Sequence, residues 1–253
     1  MPERKAIITD MDGVLVRGRL PIPGAPEFIG RLLSDERPFL VLTNNSLYSP
    51  VVLSHRLQRS GLDIPSNRIH TSALATAQFL DWQRPRGTAY VIGEEGLYEA
   101  LEDVGYTFTD QSPDYVVLGE TNDYSFEKIT RGIRLIQGGA RFIATNPDVS
   151  GPSEDGIVPA TGAAAAVIER VVNIAPYYIG KPNPLMIRTA LRRLDQHSGN
   201  SIMIGDRMDT DILAGMESGL ETILVLTGVT TMEMVERFPY RPSRIVESVA
   251  DLP

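Results

Sequence analysis

The chain has 253 residues, 42% of them hydrophobic, a formal charge of -8 and no cysteine, which is enough to bury one large core or two smaller ones. Its acidity excludes a general nucleic-acid or lipid-surface binder, since both depend on clustered Lys and Arg, but permits a small anionic substrate at a locally positive site. Without cysteine there is no disulfide framework, no thiolate nucleophile and no thiolate metal site.

From Met1 a few charges lead into a short apolar run ending in Thr9-Asp10, too brief for a signal peptide or a membrane span. An unprocessed, cytoplasmic protein is the expectation. Short runs rich in Ile, Val, Leu and Tyr then alternate with amphipathic stretches, the pattern of parallel strands joined by covering helices. Strands are predicted at Ala6 to Thr9, Phe39 to Thr43, Ala89 to Ile92, Tyr115 to Leu118, Arg141 to Thr145, Tyr177 to Ile179, Ser201 to Ile204 and Thr222 to Leu226. Helices are predicted at Pro26 to Leu33, Pro50 to Ser60, Ser72 to Trp82, Glu95 to Asp103, Ser125 to Gln137, Gly162 to Val172, Pro184 to Leu194 and Thr210 to Ser218. The fold class is α/β. Breaks in this alternation fall near Trp82 to Gly87, which is polar and punctuated by Pro and Gly, and near Asn173 to Pro176.

Four predicted strands end directly in polar residues: Thr9-Asp10, Thr43-Asn44-Asn45, Thr145-Asn146-Pro147-Asp148 and Gly205-Asp206. In open parallel sheets the ligand crevice lies beyond the carboxyl ends of the strands, so these termini are well located for chemistry. The strongest is Ile7-Ile8-Thr9-Asp10-Met11-Asp12-Gly13, where an apolar strand delivers two carboxylates into a Gly-containing turn. Close carboxylates are tolerated when a cation lies between them or one is protonated. Alone, Asp-x-Asp-Gly also reads as a solvated turn or a calcium loop, although the further acids and distal Glu of an EF-hand are missing. A second strand runs from Ser201 into Gly205-Asp206, with Asp209 and Asp211 following at a predicted helix start. Asp209 or Thr210 is expected to cap that helix, and Asp206 is the better metal ligand. Leu42-Thr43-Asn44-Asn45-Ser46 offers a hydroxyl and backbone N–H groups suited to phosphoryl oxygens. Lys181 lies between a strand and a helix begun by Pro184, where it either is solvated or balances the acids. His55, His70 and His197 share no metal-binding spacing, and Trp82 with the tyrosines reads as packing.

Together these motifs resemble the haloacid dehalogenase superfamily: Asp10/Asp12 on the first strand, Thr43 on the second, then Lys181, then Asp206/Asp211. The long insert between Thr43 and Lys181 is similar to the α/β cap of the NagD-type phosphatases, as are Thr71-Ser72-Ala73, Ala144-Thr145-Asn146-Pro147-Asp148, Gly180-Lys181-Pro182 and Thr210-Asp211-Ile212-Leu213-Ala214-Gly215. The resemblance spans nearly the whole chain. It implies a Rossmann-like parallel-sheet core, residues 1–78 and 178–253, with an inserted cap at 79–177. It also implies a Mg2+-dependent phosphatase in which Asp10 is the nucleophile and Asp12 the general acid and base. The metal would be held by Asp10, Asp206 and the backbone carbonyl of Asp12, and the phosphoryl oxygens by Thr43, Asn44 and Lys181, with Asp211 orienting Lys181.

Arg207 either touches substrate or pairs with Asp209, while Asn146 and Asp148, on a strand-end loop of the insert, are specificity candidates. The implied substrate is a small phosphate ester, with nucleoside 5'-monophosphates leading and sugar phosphates and pyridoxal phosphate next. The insert would also offer surface for a homodimer. A dehalogenase has no use for Asp12, because its leaving halide needs no proton. A signalling receiver has no room for about 140 residues between Thr43 and Lys181. A phosphate-ester binding protein with little turnover is the remaining alternative of another class.

Overall fold

The computed structural model describes residues 5–153 and 156–252. In chain order the strands and helices are β1 (Ala6–Thr9), β2 (Val16–Arg17), β3 (Leu20–Pro21), α1 (Ala25–Ser34), β4 (Phe39–Thr43), α2 (Pro50–Arg59), β5 (Ile69–Thr71), α3 (Ser72–Gln83), β6 (Thr88–Ile92), α4 (Glu95–Asp103), β7 (Thr107–Phe108), β8 (Tyr115–Leu118), α5 (Phe126–Gln137) and β9 (Arg141–Ala144). There follow β10 (Ser150–Ser153), β11 (Gly156–Pro159), α6 (Thr161–Val172), β12 (Tyr177–Tyr178), α7 (Pro184–Leu194), β13 (Ser201–Gly205), α8 (Leu213–Glu217), β14 (Glu221–Val225), α9 (Met232–Val235) and β15 (Arg244–Val246). They form two compact units, one of Met1–Thr43, Pro50–His70 and Lys181–Pro253, the other of Asn44–Ser49 and Thr71–Gly180. The sequence-read boundaries at 79 and 177 both fall inside the second unit.

In the first unit a six-stranded sheet runs in the order β15-β14-β13-β1-β4-β5. β1 pairs in parallel with β13 on one side and β4 on the other. All residues of β1 and β4 are buried, which explains why these strands read as unbroken apolar runs: covered on both faces, they have no solvent side to make polar. α1 buries Ala25, Phe28, Ile29 and Leu32, the i, i+3, i+4, i+7 stripe of a helix laid on a core. Pro26 opens it where a missing N–H costs nothing.

The second unit has its own five-stranded parallel sheet, ordered β12-β9-β8-β6-β7, and an antiparallel hairpin of β10 and β11. Its core joins Ile92, Val116, Leu118, Phe142 and Ala144 of the sheet to Ile129 and Ile136 of α5 and Ala164, Ala165 and Ile168 of α6. Ser125 starts α5 by accepting the Lys128 N–H on its hydroxyl (3.2 Å), a side-chain cap of the usual kind. Two parallel sheets, each with helices, confirm the α/β class.

Two expectations about local structure require correction. The stretch predicted as a helix from Thr210 to Ser218 begins as a π-helical turn, Met208–Ile212, and becomes α-helical only in α8; Ile212 N reaches back to Arg207 O at 3.1 Å. Neither Asp209 nor Thr210 caps it. Arg207 occupies the cap position without a side-chain bond, Asp209 is engaged by Arg207, and Thr210 is buried. Among the described residues, no helix is long and apolar enough to cross a membrane.

Candidate active site

The order of the first sheet brings the polar strand ends together. β1 lies between β13 and β4, and the parallel pairing carries on past the strand: Asp10 N donates to Ile204 O at 2.9 Å. Asp10 and Asp206 therefore leave neighbouring strands side by side. Gly205 permits the approach of the next acid, because a Cβ there would fall 2.0 Å from Asp211 Cβ.

Lys181 organises these carboxylates. Its side chain is 2% exposed, and its ammonium donates to Asp10 Oδ1 at 2.7 Å and to Leu42 O at 2.8 Å while lying 2.8 Å from Asp211 Oδ1. Two hydrogen bonds and an ion pair thus hold the ammonium. Burial alone would lower its pKa, but the carboxylates of Asp10 and Asp211 raise it above the ordinary lysine value, so it stays charged. Asp211 uses its other oxygen to accept from Asp206 N (3.2 Å) and Arg207 N (3.1 Å), anchoring itself to the chain that carries Asp206.

Asp10, Asp206 and Asp211 offer carboxylate oxygens within 4.8 Å of one another. Loss of hydration pushes the pKa of Asp206 up to about 8, with Asp211 and Asp10 adding repulsion. The same desolvation, opposed by Lys181, lifts Asp211 to about 6 and also raises Asp10. Asp206 Oδ2 accepts from Val229 N at 2.6 Å, whereas Asp206 Oδ1 is buried with no hydrogen-bond partner among the described residues. Three crowded carboxylates, each made harder to ionise by burial, face one ammonium, and Asp206 Oδ1 lacks a donor. This is an all-oxygen site that fits a hard divalent cation.

Asp12 stands apart from this cluster. It is exposed, and desolvation raises its pKa to about 6 against the opposing charges of Lys181 and Arg56. Thr43, at the end of β4, is buried next to the Leu42 carbonyl that Lys181 holds. Arg207, half-buried, pairs with Asp209 through Nε (3.2 Å) and Nη2 (3.1 Å).

The remaining predicted residues lie in the second unit. Asn44 Nδ2 donates to Asp148 Oδ2 at 2.9 Å, and Asn44 O accepts from Ser72 Oγ at 2.6 Å and Asn146 Nδ2 at 3.0 Å. Asn146 is buried, and its Oδ1 accepts from Asp148 N at 3.1 Å; Asp148 is half-buried. Sequence reasoning missed Arg56 and the loop after β14, Thr227–Thr230. Neither carries an acidic or glycine-rich motif of its own, so only the fold brings them to the site.

Comparisons with known proteins give the family. Residues 7–107 match the haloacid dehalogenase-like hydrolase model, and residues 178–252 a HAD-hydrolase-like model. The chain belongs to the haloacid dehalogenase-like hydrolases. Within that family it is similar to a dihydroxyacetone phosphatase of Corynebacterium glutamicum (strain R), 55% identical with 97% of this chain and 89% of the relative covered. It is also 42% identical to the ribonucleotide monophosphatase NagD of Escherichia coli (strain K12), with 98% of each covered. The solved structure of NagD from that strain superposes with a TM-score of 0.91 over 99% of this chain and 98% of its own. The chain is thus a NagD-type phosphatase of the haloacid dehalogenase superfamily, a phosphomonoester hydrolase.

Proposed function

We propose that this phosphatase works through an aspartyl phosphate on Asp10. The contact between Lys181 Nζ and Asp10 Oδ1 at 2.7 Å carries the reading: one carboxylate oxygen is held and its charge balanced, leaving the other to attack phosphorus. As the P–O bond to Asp10 forms, the ester P–O bond breaks, and Asp12 gives its proton to the departing oxygen. Asp12 then takes a proton from water, the water oxygen attacks phosphorus, and inorganic phosphate leaves with the Asp10 carboxylate restored. A pKa near 6 suits Asp12 to both duties, since an acid and base in one group works best near the operating pH. Thr43, the Asn44 backbone and Lys181 bind the phosphoryl oxygens.

Mg2+ is the proposed metal, held by Asp10, Asp206 and the backbone carbonyl of Asp12, with Asp211 orienting Lys181. When bound it supplies positive charge between the carboxylates and the phosphate dianion.

The second unit, as a cap, is proposed to select the leaving group, with Asp148 contacting it and Asn146 supporting Asp148 and Asn44 from within. For the substrate, the relative at 55% identity favours a small sugar phosphate of the dihydroxyacetone phosphate type, and NagD at 42% favours nucleoside 5'-monophosphates. Ranking dihydroxyacetone phosphate, UMP, GMP and pyridoxal phosphate by kcat/KM, with Mg2+ and with chelator, tests both substrate and metal. Equal, metal-independent turnover of all four contradicts the reading.

A further inference from the structure

The loop that follows β14 grips the acidic end of β13 through its backbone. Val229 N donates to Asp206 Oδ2 at 2.6 Å, Thr230 N donates to Asp206 O at 3.1 Å, and Thr230 Oγ1 accepts from Met208 N at 3.3 Å. No side chain fits between them: a Cβ on Gly228 would stand 1.9 Å from Asp206 Oδ2. Thr227 extends the grip to the other acidic motif. Its hydroxyl donates to Gly13 O at 2.6 Å, in the turn that carries Asp10 and Asp12, and its own carbonyl accepts from Arg17 Nη2 on β2 at 2.5 Å.

We propose that Thr227 is a positioning residue for hydrolysis, a cross-link that fixes the Asp10–Gly13 turn against Asp206. Buried carboxylates so close repel one another, and side-chain rotation would relieve the repulsion by turning Asp206 away. The loop opposes that rotation by holding Oδ2 with a main-chain N–H, which leaves Oδ1 buried, without a partner among the described residues, and available to a cation. Thr227 secures the loop to the turn, so the acids from two strands keep one separation. Preorganisation of this kind belongs to groups behind the ligands as much as to the ligands themselves. The inference rests on the metal reading proposed above for Asp206.

The test is Thr227→Val, which removes the hydroxyl and keeps the branched shape, beside Thr227→Ser, which restores it. Two quantities are read on the full chain: Mn2+ binding by electron paramagnetic resonance without substrate, and the separate kcat and KM for p-nitrophenyl phosphate. The Val variant is expected to bind Mn2+ about tenfold more weakly, with kcat lowered and KM within about twofold. The Ser variant should return close to wild type in both. Wild-type binding and turnover in the Val variant, or a Ser variant as impaired as Val, overturns the assignment. If the wild-type chain binds no Mn2+, the proposed metal site falls, and the kcat comparison decides alone: a Val loss rescued by Ser supports the cross-link, an unchanged kcat removes it. Should the Val chain fail to fold, Thr227→Ala against Thr227→Ser gives the same comparison.

Discussion

Lys181 Nζ lies 2.7 Å from Asp10 Oδ1 and 2.8 Å from Asp211 Oδ1, with all three side chains largely or wholly withdrawn from solvent. A lysine from the loop before α7 thereby joins the nucleophile on β1 to an acid beyond β13. Removing one member of a buried ion network strands the others, at a cost of about 3–5 kcal/mol. Lys181→Met is therefore expected to lower the urea midpoint clearly and to abolish turnover, with added Mg2+ recovering part of the stability and none of the activity. An unchanged midpoint would show that the carboxylates shed their charge at no cost.

Asp12→Asn keeps the shape of the site and deletes its proton donor. Loss should be greatest for a poor leaving group: an alkyl phosphate should lose at least about tenfold more kcat/KM than p-nitrophenyl phosphate, whose phenolate departs with little help. Equal losses on the two esters would remove the general-acid role.

His70, on β5, makes stability depend on acid. It is buried, its Nδ1 lies 3.1 Å from Arg193 Nη1, and since arginine only donates, the ring proton sits on Nε2, which has no partner among the described residues. Burial, then the Arg193 charge, push its pKa down to about 3 from 6.5. The unfolded chain thus takes up this proton below about pH 6.5 and the folded chain does not. His70 contributes nothing to the pH dependence above that value, and it lowers stability as pH falls from 6.5 toward 3, by at most about 1.4 kcal/mol per pH unit. His70→Asn, which keeps an acceptor for Arg193, should flatten the curve of unfolding free energy between pH 6.5 and 4. A slope identical to wild type assigns the acid sensitivity to the carboxylates instead.

Asp148→Ala is expected to reorder substrates. Dihydroxyacetone phosphate and UMP should change in kcat/KM by amounts that differ by about 1–3 kcal/mol, the scale of a lost polar contact, with much less change for methyl phosphate. Preservation of the wild-type ranking would move specificity to other residues of the second unit.

Much of this was legible in the sequence because the chemistry sits where strands stop. Asp10, Thr43 and Asp206 each follow an apolar run buried on both faces, so period and polarity change at the same residue, and the parallel order β13-β1-β4 collects them. Lys181 was legible only through its company, since a lone lysine before a helix says nothing by itself. The elements that escaped notice are short or irregular: β2, β3 and β7 have two residues each, too few for a period. The π-helical turn at Met208–Ile212 follows from Asp211 folding back on the Asp206 and Arg207 amides, a tertiary arrangement that propensity does not encode. Thr227 and Arg56 act through distance in the fold, with no motif to announce them.

The covalent role of Asp10 is tested most directly by trapping the intermediate. The wild-type chain, acid-quenched within a turnover of p-nitrophenyl phosphate and reduced with tritiated borohydride, which expels the phosphate and leaves homoserine, should carry its label at Asp10. Asp10→Asn, folded as judged by circular dichroism, should carry none and should turn over at least about a thousandfold more slowly. A label on another residue, or an Asp10→Asn variant within about tenfold of wild type, would contradict the account.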